Sequence, residues 1–171
     1  SADHSLPKEW YRHYKDEWLT YFKFGFTRNP WDRVVSNYVH RMSDPNLRVR
    51  LRNVKTFEDY VAYLEKLPQG NWISNQATKQ ITYLYFRDSP IDFIGKFENF
   101  DNEIYNLKKS LKISIKHHNY NNMAATKYKF SDYRSYYFNK ENIDKVYFLY
   151  KKYFYNFGYN FENFNTFEKN K

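Results

Sequence analysis

An arginine, a helix start and a hydroxyl fall close together in RNPWDRVVS, residues 28–36, and all three are groups that bind phosphate. Arg28 offers a planar, two-pronged donor; Arg33 adds a second positive charge and Ser36 a hydroxyl. Asn29 is a good N-cap, Pro30 suits the first helical position, and Asp32 supplies the acid of a capping box, so a helix is predicted to begin here. Its first turn would present backbone N–H groups and the positive end of the helix dipole to an anion. Along that helix Val34, Val35, Tyr38, Val39 and Met42 form an apolar stripe, while Asn29, Arg33, Ser36 and His40 share another side, so Ser36 faces the same way as the turn. Two readings fit these residues: a phosphate site, or an ordinary capped helix whose Arg28 pairs with a surface carboxylate.

Such groups need a rigid mount, and the neighbouring sequence supplies one. In residues 21–27 Phe22, Phe24 and Phe26 alternate onto one face between Tyr21 and Thr27, which predicts a buried strand closed by Arg28. Upstream, one helix is predicted within residues 1–19, capped by Ser5, with Leu6, Trp10, Tyr14 and Trp18 packing one face inward. After Met42, SDPNLRVRLRN reads as an edge strand or an extended basic loop, its Arg48, Arg50 and Arg52 either lining a channel for an acidic acceptor or keeping a solvated edge from aggregating. Thr56 and Asp59 cap a helix to Lys66 that turns Phe57, Tyr60, Val61 and Leu64 to the core, with Pro68 and Gly70 ending it. Residues 81–86 and 91–96 read as strands around a turn at 87–90. A helix then runs from Glu98 and Asn99 to Leu111 on an Ile104, Leu107, Leu111 face. Residues 115–130 read as a long loop of the kind that forms lids. Asn139 caps a last long helix with an apolar stripe from Ile143 through Tyr153 to Phe157, and Gly158 ends it. Strands alternating with helices predict one α/β domain over residues 1–171, a small, mostly parallel sheet built on strands 21–27 and 91–96 and flanked by helices on both faces.

The run Arg28, Asn29, Pro30, Trp31, Asp32, Arg33, then Ser36 and Tyr38, resembles the 3′-phosphate-binding motif of sulfotransferases, RNPxDRxxSxY, and like it follows an aromatic strand and opens a helix. Residues 91–100 (IDFIGKFENF) and the tyrosine-rich residues 133–159 resemble later segments of the carbohydrate-type members, so the resemblance covers most of the chain. It implies the family's P-loop-nucleotide-kinase-like fold, with 3′-phosphoadenosine 5′-phosphosulfate as sulfuryl donor and a hydroxyl or amine as acceptor, on a carbohydrate or another small molecule. Arg28, Arg33 and Ser36 would hold the donor's 3′-phosphate, Lys127 and Lys129 would close over the nucleotide, Gln76 would touch the acceptor, and His4 would be the catalytic base, ahead of His13. The family's other signature, a lysine-bearing loop for the 5′-phosphosulfate, belongs upstream of Arg28, and no G-x-x-x-x-G-K-[ST] pattern occurs in a sequence with four glycines. The sequence is therefore expected to be N-terminally incomplete or to have lost half of the donor site, and to bind the bisphosphate product better than it transfers sulfuryl.

Composition narrows the alternatives. A net charge of +9 favours an anionic ligand, and the absence of cysteine excludes disulfides, thiol catalysis and cysteine-ligated zinc, in keeping with a cytoplasmic location. The adjacent His117 and His118 lack the spacing of a helical metal pair, and no metal is expected. No apolar run approaches membrane-spanning length. Aromatic residues make up 23% of the chain but follow core periodicity rather than the basic residues, which argues against nucleic-acid binding. A sulfotransferase and a non-catalytic nucleotide- or glycan-binding module that keeps only the 3′-phosphate site are the two leading readings; oligomeric state is left open.

Overall fold

The computed structural model describes residues 6–67, 80–113 and 132–162. In chain order these hold α1 (Pro7–His13), α2 (Lys15–Thr20), β1 (Phe24–Thr27), α3 (Pro30–Ser43), α4 (Pro45–Arg48) and α5 (Phe57–Lys66). Then come α6 (Gln80–Leu84), β2 (Tyr85–Phe86), β3 (Ser89–Pro90), β4 (Phe93–Lys96), α7 (Phe100–Leu111), α8 (Lys140–Leu149) and α9 (Lys151–Phe157). Short 3-10 turns cover Val49–Leu51, Phe97–Asn99 and Tyr133–Tyr136. The chain divides into two compact units, which among the described residues are 6–28 with 80–113, and 29–67 with 132–162.

The first unit is built on a parallel pair. β1 and β4 run in register from Phe24 opposite Phe93 to Thr27 opposite Lys96, which is the parallel pairing the sequence predicts. Side chains alternate, so Phe24, Phe26, Phe93 and Gly95 share one face and Gly25, Thr27, Ile94 and Lys96 the other. Two glycines let helices close onto both faces. A Cβ on Gly95 would lie 2.7 Å from the Phe26 ring, which itself packs on Phe100 of α7 with centroids 4.8 Å apart. A Cβ on Gly25 would lie 2.6 Å from Leu84 at the end of α6. Lys23 ties the two strand entrances together: its N–H donates to Asp92 Oδ2 at 2.7 Å and its carbonyl accepts from Phe93 N at 3.1 Å. Burial pushes the Asp92 carboxyl up, but the Lys23 ammonium, backbone N–H and charge together hold it below the usual carboxylate range.

Three expectations for this unit are corrected. The strand is shorter than residues 21–27, and Phe22 and Phe24 are 41% and 54% exposed, because α7 covers only the Phe26 end. Residues 81–84 are helical rather than extended; only Tyr85–Phe86 is strand, pairing antiparallel with Ser89–Pro90 through a turn whose Arg87 and Asp88 both have positive φ. The N-terminal helix is split at Tyr14 and turns a different face inward. Tyr11 and Trp18 both pack on Phe86, at 4.9 and 5.3 Å, leaving Trp10 and Tyr14 exposed against each other. The Glu9 carboxylate accepts the Leu6 N–H at 2.7 Å and caps α1, while Ser5 lies outside the described residues, as do Pro68 and Gly70.

The second unit packs α3, α5, α8 and α9 around rings. Phe57, Tyr60, Val61 and Leu64 of α5 are all buried as their spacing predicts. The Thr56 hydroxyl accepts the Asp59 N–H at 3.1 Å while Asp59 Oδ2 accepts the Thr56 N–H at 3.0 Å, completing the expected capping box. Val34 and Val35 of α3 are buried, and Tyr38 meets Phe57 edge-on at 5.5 Å. Residues 45–51 are helical, neither strand nor extended loop. Asp44 Oδ1 accepts the Asn46 N–H at 2.8 Å and Pro45 opens the turn, an N-cap and N1 pair that outweighs the alternation of Arg48, Arg50 and Arg52. The last helix is divided at Tyr150, with Asn139 capping α8 and Gly158, at φ 66°, ending α9. Tyr60 is deeply buried, which pushes its hydroxyl up to about 12 against the opposing charges of Arg41 and Arg33.

Candidate functional site

Thr27 is the last residue of β1, and the backbone leaves the strand through Arg28. Gln80, at the start of α6, holds that exit: its Oε1 accepts the Arg28 N–H at 3.2 Å and lies 3.5 Å from the Thr27 hydroxyl. Because Thr27 stands opposite Lys96 in a parallel pair, the next residues of the two strands, Arg28 and Phe97, emerge side by side. The Arg28 guanidinium carbon lies over the Phe97 ring, 5.0 Å from its centroid. Phe97 in turn packs on Phe100 at 6.0 Å, and Phe100 on Phe26 at 4.8 Å. A chain of rings thus runs from the sheet face to the guanidinium.

The start of α3 has Asn29 as its N-cap and Pro30 in its first turn, as the sequence predicts. Asn29 is 1% exposed and caps the helix, its Oδ1 accepting the Trp31 N–H at 3.0 Å. Its Nδ2 donates to the Asn160 carbonyl at 3.3 Å and lies 3.5 Å from the Tyr133 hydroxyl, which donates to the Phe161 carbonyl at 2.7 Å. Trp31 is pinned on both sides: its Nε1 donates to the Ile143 carbonyl at 3.1 Å and its own carbonyl accepts the Tyr137 hydroxyl at 3.1 Å. Burial pushes the Tyr133 and Tyr137 hydroxyls well above their ordinary value. Pro30 has no N–H, the Trp31 N–H is used by the cap, and Asp32 places a carboxylate in the first turn. The Trp31 N–H is thus committed to the cap, and Asn29 ties the start of α3 to the Asn160 carbonyl.

Of the residues the sequence singles out, Ser36 is half-buried on α3 beside exposed His40. Arg33 is half-buried with one guanidinium nitrogen enclosed, close enough to Tyr60 to oppose the rise of its hydroxyl. His13 is exposed at the end of α1. His4, Gln76, His117, His118, Lys127 and Lys129 lie outside the described residues. Sequence reasoning overlooked Gln80, Phe97, Tyr133 and Asn160, all far from residues 28–36 in sequence. Only the strand-end position of Phe97, directly after Lys96, carried a readable signal. Among the described residues no three His, Asp or Glu side chains gather as metal ligands, and no helix is long and apolar enough to cross a membrane.

A family model described as the sulfotransferase family matches residues 2–160. No curated protein and no solved structure matches the chain.

Proposed function

This chain belongs to the sulfotransferase family, and we propose that it moves a sulfuryl group from 3′-phosphoadenosine 5′-phosphosulfate to a hydroxyl or amine of a carbohydrate, with Arg28 as principal holder of the donor's 3′-phosphate. The observation that carries the reading is the position of Arg28 at the carboxyl end of a parallel strand pair, where open α/β sheets bind their ligands, with its guanidinium lying over a ring. Motif spacing supports Ser36 and Arg33 as further contacts to the same phosphate, and the net charge of +9 favours a polyanionic donor.

In the transfer the acceptor oxygen or nitrogen bonds to sulfur as the bond from sulfur to the bridging phosphate oxygen breaks, and adenosine 3′,5′-bisphosphate leaves. The acceptor's proton passes to a base, for which the family resemblance supports His4, and the resemblance likewise supports Lys127 and Lys129 over the bound nucleotide. Holding a remote 3′-phosphate contributes by alignment: binding energy gathered away from the sulfur fixes the donor in line with its acceptor.

The test is calorimetric. Arg28→Ala is expected to weaken adenosine 3′,5′-bisphosphate by about tenfold or more, the worth of a charge-assisted bidentate contact, and to leave adenosine 5′-monophosphate nearly unaffected. Equal losses for the two nucleotides would remove Arg28 from the 3′-phosphate.

A further inference from the structure

We propose that Gln80 is a further binding residue of this site, its Nε2 donating a hydrogen bond to the 3′-phosphate of the bound nucleotide, an inference that rests on Arg28 holding that phosphate. Gln80 is the first residue of α6, and α6 is fastened along β1 at both ends. At the far end Leu84 is buried against Gly25, where an added Cβ would lie 2.6 Å from the leucine side chain, and the Leu84 carbonyl accepts the Ile91 N–H at 2.9 Å. At the near end Gln80 Oε1 accepts the Arg28 N–H at 3.2 Å and lies 3.5 Å from the hydroxyl of Thr27, a residue that is 1% exposed. The Gln80 side chain is therefore held at the carboxyl end of β1, where open α/β sheets bind their ligands.

The chemistry of this clasp fixes which way the amide faces. A backbone N–H only donates, so the atom that meets the Arg28 nitrogen is the amide oxygen, and the planar amide turns its NH2 group to the other side. Among the described residues nothing accepts from Nε2, although the group carries two N–H donors. Gln80 is half-buried, so these donors have lost part of their hydration and gain by meeting an acceptor. A phosphate presents such acceptors, and its charge strengthens the bond. A clasp with no further task would be served as well by glutamate, which keeps an acceptor for the Arg28 N–H at the same side-chain length. Glutamine differs from glutamate in its donor, and a donor is what a phosphate oxygen requires.

Calorimetry on the full 171-residue chain tests this with two nucleotides, adenosine 3′,5′-bisphosphate and adenosine 5′-monophosphate, and thermal unfolding of each variant runs alongside. Gln80→Glu keeps the acceptor and replaces the donor with an anionic oxygen. It should match the parent in Tm yet weaken the bisphosphate by about tenfold or more, the worth of a hydrogen bond to a charged group, with the monophosphate nearly unchanged. The same ratio should persist at about 0.5 M salt, where a through-space effect of the added charge is screened. Gln80→Met removes both amide atoms, so it should lower the Tm through the lost clasp and weaken the bisphosphate by less than Gln80→Glu does. If Gln80→Glu does not fold, Gln80→Met carries the nucleotide comparison. An unchanged affinity in Gln80→Glu, a loss shared equally by the two nucleotides, or a loss that disappears at high salt overturns the proposal. When any of these accompanies a selective loss in Arg28→Ala, the 3′-phosphate reading stands without Gln80. An Arg28→Ala variant that discriminates between the nucleotides as the parent does overturns both.

Discussion

Asn29 separates a residue that merely caps a helix from one that joins two chain segments, and the two roles respond oppositely to a conservative change. As an N-cap, asparagine is matched by aspartate and serine, so a capping role alone makes Asn29→Asp neutral. In the structure the side chain is 1% exposed, and its Nδ2 faces two oxygens, the Asn160 carbonyl at 3.3 Å and the Tyr133 hydroxyl at 3.5 Å. Asn29→Ala removes a cap worth about 1 kcal/mol and a net hydrogen bond worth about 1 kcal/mol more, for a loss of about 2 kcal/mol. For a chain of this size that is a fall in Tm of about 4–8 °C. Asn29→Asp keeps the cap but turns a second carboxylate oxygen toward two acceptors, so its loss should equal or exceed that of alanine at neutral pH, at least about 2 kcal/mol. Burial raises the pKa of the introduced carboxyl in the folded state. A group with a raised folded pKa contributes its full stability below its unfolded pKa and loses it as pH rises through the folded one, so the deficit should shrink on acidification. Urea unfolding followed by circular dichroism at neutral pH and near pH 4 measures both effects. An aspartate variant within about 0.5 kcal/mol of the parent at neutral pH would refute the joint and leave Asn29 a cap only.

Two further outcomes follow from the packing and the caps. Gly95→Ala should destabilise by more than Gly25→Ala in the same unfolding assay. The added methyl at Gly95 meets a ring braced by Phe100, at 2.7 Å, whereas at Gly25 it meets the end of the Leu84 side chain, which can rotate away. At α5, Thr56→Ala should cost about 1 kcal/mol. The Lys55 and Thr56 backbone N–H groups hold the Asp59 carboxyl below its ordinary value, so its contribution is present above the unfolded carboxylate range and fades as pH falls through the lowered folded pKa. The stability gap between the parent and Asp59→Asn should therefore close on acidification; a gap independent of pH would show that the charge plays no part.

Much of the local structure was written in periodicity and cap chemistry. The capping box of Thr56 and Asp59, the apolar face of α5, Asn29 before Pro30, Asn139 before α8 and Gly158 after α9 stand where side-chain spacing places them, because each depends on residues within one or two turns. The strands were legible as the elements of a parallel pair, but their extents were not. Phe22 and Phe24 alternate as well as Phe26 does, and only the position of α7 decides that Phe26 alone is covered. Residues 45–51 and 81–84 are helical against their alternation because alternating or β-branched residues favour strands only where a partner strand is present, and among the described residues no strand pairs with these segments.

The candidate site divides in the same way. Arg28, Arg33 and Ser36 were readable as phosphate-binding types at phosphate-binding spacing, and that pattern is what the family resemblance rests on. That the helix start is closed by Asn160 and Tyr133, and that Phe97 lies under the Arg28 guanidinium, belonged to the tertiary structure alone. A chain's periodicity specifies which face each side chain occupies, whereas the pairing of Thr27 with Lys96 is fixed only when sheet hydrogen bonds and the packing of Phe26 over Gly95 select one register from those the strands allow.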